Sequence, residues 1–124
     1  MVMAARDMIT RHSEFSETKD FIPTPPYATR TLFQYAVPEW VGGDTKTVLD
    51  PAAGQGHMVR VFQEYGMIGL GSDLHDHGGS DLIKRGTDFL ESTQRADFII
   101  TNPPYAIAEP FARKALSLAN MGVA

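Results

Sequence analysis

Apolar residues along this chain fall into short runs that are separated by stretches with helical spacing. Residues 47–50, 67–73 and 96–101 are short runs rich in β-branched and other apolar residues, and each predicts a buried strand. A weaker run at residues 85–90 predicts one more strand between the second and the last of these. Because strands that alternate with helices favour parallel pairing, the pattern predicts an α/β fold with about four mostly parallel strands.

Helical spacing is clearest directly after the first predicted strand. Met58, Val61, Phe62 and Tyr65 share one helical face, and Gly66 follows as a residue that commonly ends a helix. A strand, a turn and a helix are therefore expected to follow one another in this part of the chain.

Prolines divide the N-terminal part of the chain. Residues 1–20 are polar and weakly patterned, so we expect an N-terminal arm there. Residues 21–24 are expected to be extended, because a residue before proline avoids the helical region. Thr24 is then expected to cap a helix that Pro25 and Pro26 open. That helix should end before Pro38 and bury Tyr27, Leu32, Phe33 and Ala36 or a similar face.

The C-terminal part predicts a helix followed by an incomplete strand pattern. The helix opens at Pro110 and is expected to end near Asn120, and residues 122–124 resemble only the beginning of a strand. The strand at 96–101 is therefore expected to keep an uncovered hydrophobic edge. Such an edge predicts a homodimer or a partner chain that covers it.

Composition limits the class of protein. With 124 residues, of which 43% are hydrophobic and 21% charged, the chain predicts one domain over residues 21–124. No apolar run approaches the roughly 18 residues of a membrane-spanning helix, and the N-terminal arm lacks the apolar core of a signal peptide. The absence of cysteine excludes disulfides, thiolate zinc sites and cysteine nucleophiles, and it favours a cytoplasmic protein.

Charge argues against nucleic-acid binding by this chain alone. The formal net charge is −4, and the basic residues are scattered singly along the sequence. A stand-alone DNA-binding module usually carries a basic face, which this pattern does not predict.

A glycine-bearing turn follows the first predicted strand. Residues 50–56 are Asp-Pro-Ala-Ala-Gly-Gln-Gly, and Gly54 and Gly56 would let the backbone approach a ligand just before a helix. A dinucleotide-binding turn would need a third small residue where Val59 stands. The carboxylate of Asp50 also suits a cationic ligand better than a pyrophosphate. A plain strand-to-helix turn is the alternative.

Acidic residues follow two other predicted strands. Asp73 lies where an acidic side chain binds ribose hydroxyls in α/β nucleoside sites, and Leu74 beside it could cover an adenine ring. Asp88 could accept a hydrogen bond from an exocyclic amino group while Phe89 packs against the base. The alternatives are aspartates that form turns and a phenylalanine that belongs to the core.

The strand at 96–101 ends in Asn102-Pro103-Pro104-Tyr105, which is the most specific motif of the chain. An amide oxygen, a backbone carbonyl and an aromatic ring would stand together at the carboxyl end of a buried strand. In open α/β sheets this edge binds ligands. The three groups suit the binding of an amino group on a flat, stackable substrate.

Histidines offer weaker signals. His75-Asp76-His77 could contribute to a metal site, but the sequence shows no obvious completing ligands, so a solvated loop and no metal are expected. His57 is expected at a helix N-terminus near a bound cofactor rather than as a catalytic base.

Together these motifs resemble the class I S-adenosylmethionine-dependent methyltransferases, and among them the N6-adenine DNA methyltransferases. The likeness covers about residues 21–120, and the motifs occur in the family's order. The family's fold is Rossmann-like, and the resemblance implies that this chain is its N-terminal, cofactor-binding half. It also implies S-adenosylmethionine as the cofactor.

The resemblance implies a role for each motif. Asp50 would lie near the cofactor's cationic end, Asp73 would hold the ribose and Asp88 the adenine amino group, while Thr24 and Pro25 would close over the methionine portion. The implied cofactor-binding residues are Thr24, Pro25, Asp50, Pro51, Ala52, Gly54, Gly56, Asp73, Leu74, Asp88 and Phe89.

The resemblance implies that the tetrapeptide is catalytic. The Asn102 oxygen and the Pro103 carbonyl would accept hydrogen bonds from the target amino group and stabilise the positive charge that develops on it. Tyr105 would stack on a base flipped out of the duplex. The implied catalytic residues are Asn102, Pro103, Pro104 and Tyr105.

Three alternatives stay open. The family has seven strands, so the substrate half and the DNA-recognition domain are expected to be missing, although DNA is the expected substrate of the lineage. The same tetrapeptide occurs in methyltransferases of a release-factor glutamine amide and of some RNA bases. The Thr-Pro-Pro segment favours the DNA type. The chain could also be an inactive, truncated module that binds the cofactor or assembles with a partner.

Overall fold

The chain forms a five-stranded parallel sheet in a computed structural model that describes residues 23–124. The strands are β1 (Thr47–Asp50), β2 (Ile68–Ser72), β3 (Ile83–Lys84), β4 (Ala96–Ile99) and β5 (Ala119–Val123), in the order β3-β2-β1-β4-β5. This confirms the predicted α/β class. The arm predicted for residues 1–20, together with Phe21 and Ile22, lies outside the described residues.

Within the described residues, three α-helices and several short helical turns connect or precede the strands. The α-helices are α1 (Pro26–Thr31), α2 (His57–Glu64) and α3 (Ala108–Leu118). A π-helical turn (Leu32–Ala36) continues α1, and 3₁₀ turns occur at Pro38–Trp40, Phe89–Glu91 and Tyr105–Ile107. None of the helices within residues 23–124 is long and apolar enough to cross a membrane.

Strand β1 is the centre of the sheet. It pairs with β2 in the register Thr47↔Ile68 and with β4 in the register Leu49↔Ile99. Val48 is fully buried and Leu49 is 1% exposed, because helices cover both faces of a parallel sheet. The apolar run that predicted this strand thus reflects burial on two sides.

The core has one layer on each face of the sheet. One layer is built on Phe33, Val59, Phe62 and Phe98, and the π-helical turn after α1 and helix α2 contribute to it. The other contains Leu49, Phe89, Ala96, Ile99, Ile107, Phe111, Ala115 and Leu118.

Helix α1 begins differently from the prediction. Pro25, not Thr24, is the N-cap residue, and no side chain caps the helix. The buried residues of this segment are Thr29 and Phe33, whereas Tyr27 is 70% exposed. The Phe33 ring packs 4.9 Å from that of Tyr65, and this contact with the end of α2 selects the face that is buried. The predictions for Thr24 as a cap and Tyr27 as a core residue were therefore wrong.

The third strand lies earlier than predicted. Strand β3 ends at Lys84, and residues 85–90 leave the sheet through Gly86, which has φ of 67°. The buried side chain of Ile83 sets this position, because it packs where Gly71 of β2 has no side chain. A Cβ atom on Gly71 would lie 2.4 Å from the Ile83 Cδ1 atom.

The chain itself covers the edge that was expected to be open. Strand β5 pairs with β4 through Ala96↔Ala119 and Ile99↔Val123, with a register irregularity between the two pairs. Helix α3 correspondingly ends at Leu118 and not near residue 120. The edge of strand 96–101 is therefore not open as predicted, and a homodimer or a partner chain stays a prediction.

A close aromatic contact explains how β5 fits. The Trp40 ring stacks on Phe98 of β4, with centroids 4.2 Å apart and an interplanar angle of 15°. The same ring lies over Gly122 of β5, where an added Cβ atom would be 2.6 Å from Trp40 Cζ2. The strand can pass beneath the indole only because residue 122 has no side chain.

Gly122→Ala should therefore destabilise the fold. We expect the free energy of unfolding to fall by about 1–3 kcal/mol, since overpacking forces side chains out of their preferred rotamers. Urea denaturation measures this, with Met121→Ala as the control, because Met121 is 59% exposed on the same strand. The control should stay within about 0.5 kcal/mol of the parent protein. Equal stabilities of Gly122→Ala and the parent would contradict the packing argument.

Candidate active site

One cleft lies at the carboxyl ends of β1, β2 and β4, the edge at which open α/β sheets bind ligands. The cleft brings together most of the site residues predicted from the sequence. The most distant of them, Thr24 and Tyr105, are 81 positions apart in the chain. The predicted residues that line the cleft are Thr24, Asp50, Pro51, Ala52, Gly54, Asp73, Leu74, Asp88, Phe89, Asn102, Pro103, Pro104 and Tyr105.

Two predicted residues do not line the cleft. The Pro25 carbonyl accepts a hydrogen bond from the Ala28 amide and so begins α1. Gly56 is buried at the N-cap of α2 with φ of 89°, and a Cβ atom there would lie 3.2 Å from Ile83 Cδ1. Gly56 thus allows the turn to pack closely against β3. Neither Pro25 nor Gly56 lines the cleft, although both were predicted to bind the cofactor.

The glycine turn is held open by hydrogen bonds from the second strand. Gly54 has φ of 57°, and its amide donates to Asp73 Oδ2 at 2.8 Å. The Ala53 amide donates to the Ser72 carbonyl at 3.0 Å. The end of β2 therefore determines the path of the turn that follows β1.

The buried carboxyl of Asp50 lies at the junction of β1 and β4. Its Oδ1 atom accepts hydrogen bonds from the Ala52 amide at 3.0 Å and from the Thr101 hydroxyl at 2.9 Å. The residue is 1% exposed. Burial raises the pKa of Asp50 to about 7; the two hydrogen bonds oppose this shift, and the negative charge of Asp73 adds to it.

Asp73 presents a carboxylate whose two oxygens both accept backbone hydrogen bonds. Oδ2 binds the Gly54 amide, and Oδ1 binds the amide of His75 at 2.9 Å. The imidazole Nε2 of His77 lies 3.8 Å from Oδ1. Each carboxylate oxygen has a second acceptor site, so the group can still accept hydrogen bonds from ligand hydroxyls.

Asp88 and Phe89 fit both interpretations that the sequence left open, a place in the binding site and a turn-forming aspartate beside a core ring. Asp88 Oδ1 accepts the Leu90 amide at 3.1 Å and so caps a 3₁₀ turn. Phe89 is 2% exposed and packs against the ring of Phe111, with centroids 5.0 Å apart. Both residues also line the cleft, so a turn-forming carboxylate and a core ring form part of its wall.

The Asn-Pro-Pro-Tyr segment forms a further part of the cleft wall. The Asn102 amide nitrogen donates to the Thr24 hydroxyl at 3.4 Å, which connects the segment to the start of α1. The Pro104 carbonyl accepts the Ile107 amide at 3.1 Å and begins a 3₁₀ turn. Tyr105 is 83% exposed, which leaves its ring accessible for stacking on a flat molecule.

The loop after β2 departs from the prediction of a solvated segment. Asp76 is exposed, but His75 and His77 are half-buried and line the cleft. Gln55 holds this loop, because its Nε2 donates to the His77 carbonyl at 2.9 Å. Within residues 23–124 the structure contains no group of three or more potential metal ligands that could hold an ion.

Sequence reasoning missed several lining residues. Gln55 lies inside the glycine motif, and its position there is the one signal that pointed to the cleft. His57 does lie beside the cleft at the start of α2, as expected. Ala53 also lies in the glycine motif. The remaining lining residues carry no signal beyond apolar or small character; they are Pro23, Met58, Thr87, Ile107 and Phe111.

Comparisons with known proteins bear on the fold. No protein-family model and no curated protein matches the chain. A presumed RNA methyltransferase from Pyrococcus horikoshii is 23% identical with a TM-score of 0.60; the match covers 77% of this chain and 57% of that one. The Burkholderia thailandensis 1,6-didemethyltoxoflavin-N1-methyltransferase, solved with its substrate and S-adenosylhomocysteine, is 16% identical with a TM-score of 0.61. That match covers 96% of this chain and 61% of the other.

These neighbours establish the fold class. A TehB-like methyltransferase from Corynebacterium glutamicum, also S-adenosylmethionine-dependent, is 16% identical with a TM-score of 0.53, over 96% of this chain and 71% of its own. The chain therefore has the Rossmann-like fold of class I methyltransferases. It spans 57% and 61% of the length of the first two of these structures.

The raised pKa of Asp50 predicts a specific pH dependence of stability. Because the folded protein binds this proton more tightly than the unfolded chain, stability should fall as pH rises from about 4 to about 7. The free energy of unfolding should fall by at most about 4 kcal/mol because of Asp50, since one pKa unit corresponds to about 1.4 kcal/mol. Urea denaturation across this range measures it.

Asp50→Asn provides the comparison, because its amide oxygen can still accept from Ala52 and Thr101. This variant should lose the Asp50 contribution and become relatively more stable above pH 7. Asp81→Asn, which removes an exposed carboxylate, should follow the parent profile. Parallel profiles of the parent and Asp50→Asn would show that Asp50 does not titrate in this window.

Proposed function

We propose that this chain binds S-adenosylmethionine in the cleft and belongs to a lineage that methylates an amino or amide nitrogen, most specifically N6 of adenine in DNA. One observation carries this proposal. The glycine turn, Asp50 at the end of β1, Asp73 directly after β2, and the Asn-Pro-Pro-Tyr segment all line a single cleft on a methyltransferase-type fold.

The residues of the cleft fit this cofactor. S-adenosylmethionine, when bound, supplies a methyl group on a positively charged sulfonium. The buried carboxyl of Asp50 suits its cationic amino-acid end, and the carboxylate of Asp73 suits the ribose hydroxyls. Leu74 and Phe89 offer apolar surface for the adenine ring, and Asp88 offers an acceptor for its amino group. Thr24 would border the methionine portion.

The Asn-Pro-Pro-Tyr segment suits an amino-group acceptor. The hydrogen bond to Thr24 uses the Asn102 amide nitrogen and not its oxygen, so the oxygen remains an acceptor for the target nitrogen. The Pro103 carbonyl would be the second acceptor. Both would stabilise the positive charge that develops on the nitrogen during methyl transfer. The exposed ring of Tyr105 would stack on a flipped adenine.

Amide and RNA substrates are the second candidate. The acceptors of Asn102 and Pro103 would serve a glutamine amide or an RNA base equally well, because each presents a planar amino group. The likeness to a presumed RNA methyltransferase favours the RNA base among these. The proline-rich segment at Thr24, which contacts Asn102, supports the DNA type.

Cofactor binding without catalysis is the third candidate. Among the described residues that line the cleft there is no lysine or arginine, so no cation there would contact nucleic-acid phosphates. The chain also spans only part of the length of its structural neighbours. Binding of the cofactor and methyl transfer are therefore tested separately.

The parent protein should bind S-adenosylmethionine in calorimetry. Asp73→Asn should weaken binding by about tenfold or more, since a hydrogen bond to a charged group contributes about 1.5–3 kcal/mol. Asp81→Asn removes an exposed carboxylate of the same loop region and should bind like the parent. If the folded parent protein does not bind the cofactor, the proposed function is wrong.

Asn102→Ala should abolish methyl transfer while cofactor affinity stays within about threefold, because the side-chain oxygen is proposed to bind the acceptor nitrogen and the lost bond to Thr24 is long, at 3.4 Å. Transfer of a labelled methyl group is measured with DNA, RNA and a release factor as separate acceptors. Labelling of DNA alone supports the adenine type, and labelling of another acceptor identifies the second candidate. Binding without transfer to any acceptor supports the third. An active Asn102→Ala variant would refute the catalytic assignment.

A further inference from the structure

We propose that Thr101 is a positioning residue of the cleft, whose hydroxyl keeps the Asp50 carboxylate ionised and correctly oriented for a cationic ligand. This inference rests on the proposed function for the identity of that ligand. Thr101 lies two residues after the end of β4 and directly before Asn102, and the sequence showed no role for it beyond the strand.

The backbone fixes Thr101 from two sides. Its amide donates to the Ala124 carbonyl at 3.1 Å, and the preceding Ile100 amide donates to the Leu49 carbonyl at 3.0 Å. The β5 segment and the central strand β1 thus hold the residue in place. Because the backbone is held in this way, the Thr101 hydroxyl lies within hydrogen-bond distance of Asp50 Oδ1, at 2.9 Å.

The hydrogen bonds of Asp50 are distributed unequally between its two oxygens. Oδ1 accepts both the Thr101 hydroxyl and the Ala52 amide. Among the described residues, no hydrogen bond reaches Oδ2. Asp50 lines the cleft although it is only 1% exposed. Because both protein donors bind Oδ1, we infer that Oδ2 is the atom that would contact a cationic group of a ligand.

Other titratable groups also border the cleft and affect its charge. Asp73 raises the pKa of Asp50 further through its negative charge. The remaining titratable side chains along the cleft wall are those of His57, His75, His77, Asp88 and Tyr105. These groups are the same in all variants at position 101. A difference in Asp50 titration between such variants therefore reports on the Thr101 hydroxyl.

The Thr101 hydroxyl favours the charged form of Asp50, because a donor to a carboxylate stabilises the anion. It opposes the effect of burial, which raises the pKa of this group. Removal of the hydroxyl should therefore keep Asp50 protonated up to a higher pH. The buried acid would then be neutral in conditions under which the parent carries a negative charge beside the cleft.

The first test needs no cofactor. The carboxyl carbon of Asp50 is titrated by ¹³C NMR in the ligand-free parent and in Thr101→Val, which replaces the hydroxyl by a methyl group of similar volume. The midpoint should rise by about one pH unit in Thr101→Val and return close to the parent value in Thr101→Ser. Thr101→Ala serves if the valine variant does not fold. An unchanged midpoint in a folded variant without the hydroxyl would overturn the proposal.

The second test measures S-adenosylmethionine affinity by calorimetry at pH 6, 7.5 and 9. We expect Thr101→Val to bind nearly tenfold more weakly at pH 6, about threefold more weakly at pH 7.5, and to approach the parent at pH 9. A rise of one pH unit in the midpoint lowers the ionised fraction by up to tenfold below the midpoint and hardly at all well above it. A loss by the same factor at every pH would indicate a merely structural role and would overturn the proposal.

The two tests separate this inference from the proposed function. If the parent does not bind S-adenosylmethionine, the proposed function fails, while the NMR titration still decides whether Thr101 controls Asp50. If the parent binds and both the titration and the pH profile of Thr101→Val match the parent, only the positioning role fails.

Discussion

The carboxyl group of Asp50 is the interaction on which the arrangement of the cleft depends. It ends the central strand, and its Oδ1 atom joins the turn after β1, through Ala52, to the exit of β4, through Thr101. Burial makes the charged form of this carboxyl group costly, and the pKa of Asp50 is raised for that reason. A side chain that destabilises the ionised fold in this way is typical of a functional site, where stability is balanced against the chemistry of binding.

Two contacts at glycines determine where the outer strands lie. Ile83 packs against the bare backbone of Gly71, and Trp40 lies over Gly122. In both cases a bulky side chain occupies the space that a β-carbon would need. These contacts place β3 and β5 on either side of the central strands, and β5 in turn holds Thr101 through the carbonyl of Ala124. The far edge of the sheet thus contributes to the geometry of the cleft.

Under the proposed function, the cleft has one wall that suits the nucleoside and one that suits the methyl acceptor. Asp73 and the glycine turn form the first, and they are bound to each other by the Gly54 amide. Asn102 and the exposed ring of Tyr105 form the second, which reaches the first helix through Thr24. Because the hydrogen bonds of Asp50 join the two walls, a ligand at one wall and a nucleophile at the other would be held at a defined separation. That is what an in-line transfer requires.

Local sequence patterns were sufficient to predict the strand at 47–50, the helix after the glycine turn, and the chemical character of Asp73 and Asn102. They also predicted the strand at 96–101, which in the structure ends at Ile99. These are encoded by apolar periodicity and by turn residues within a few positions of one another. Tertiary structure alone decided the position of β3, the pairing of β5 with β4, the inward placement of His75 and His77, and the bond between Thr101 and Asp50. Each of these depends on a contact between side chains or strands that are distant in sequence, such as Trp40 with Gly122. No local pattern records such a contact, because its energy arises only when folding brings the two partners together.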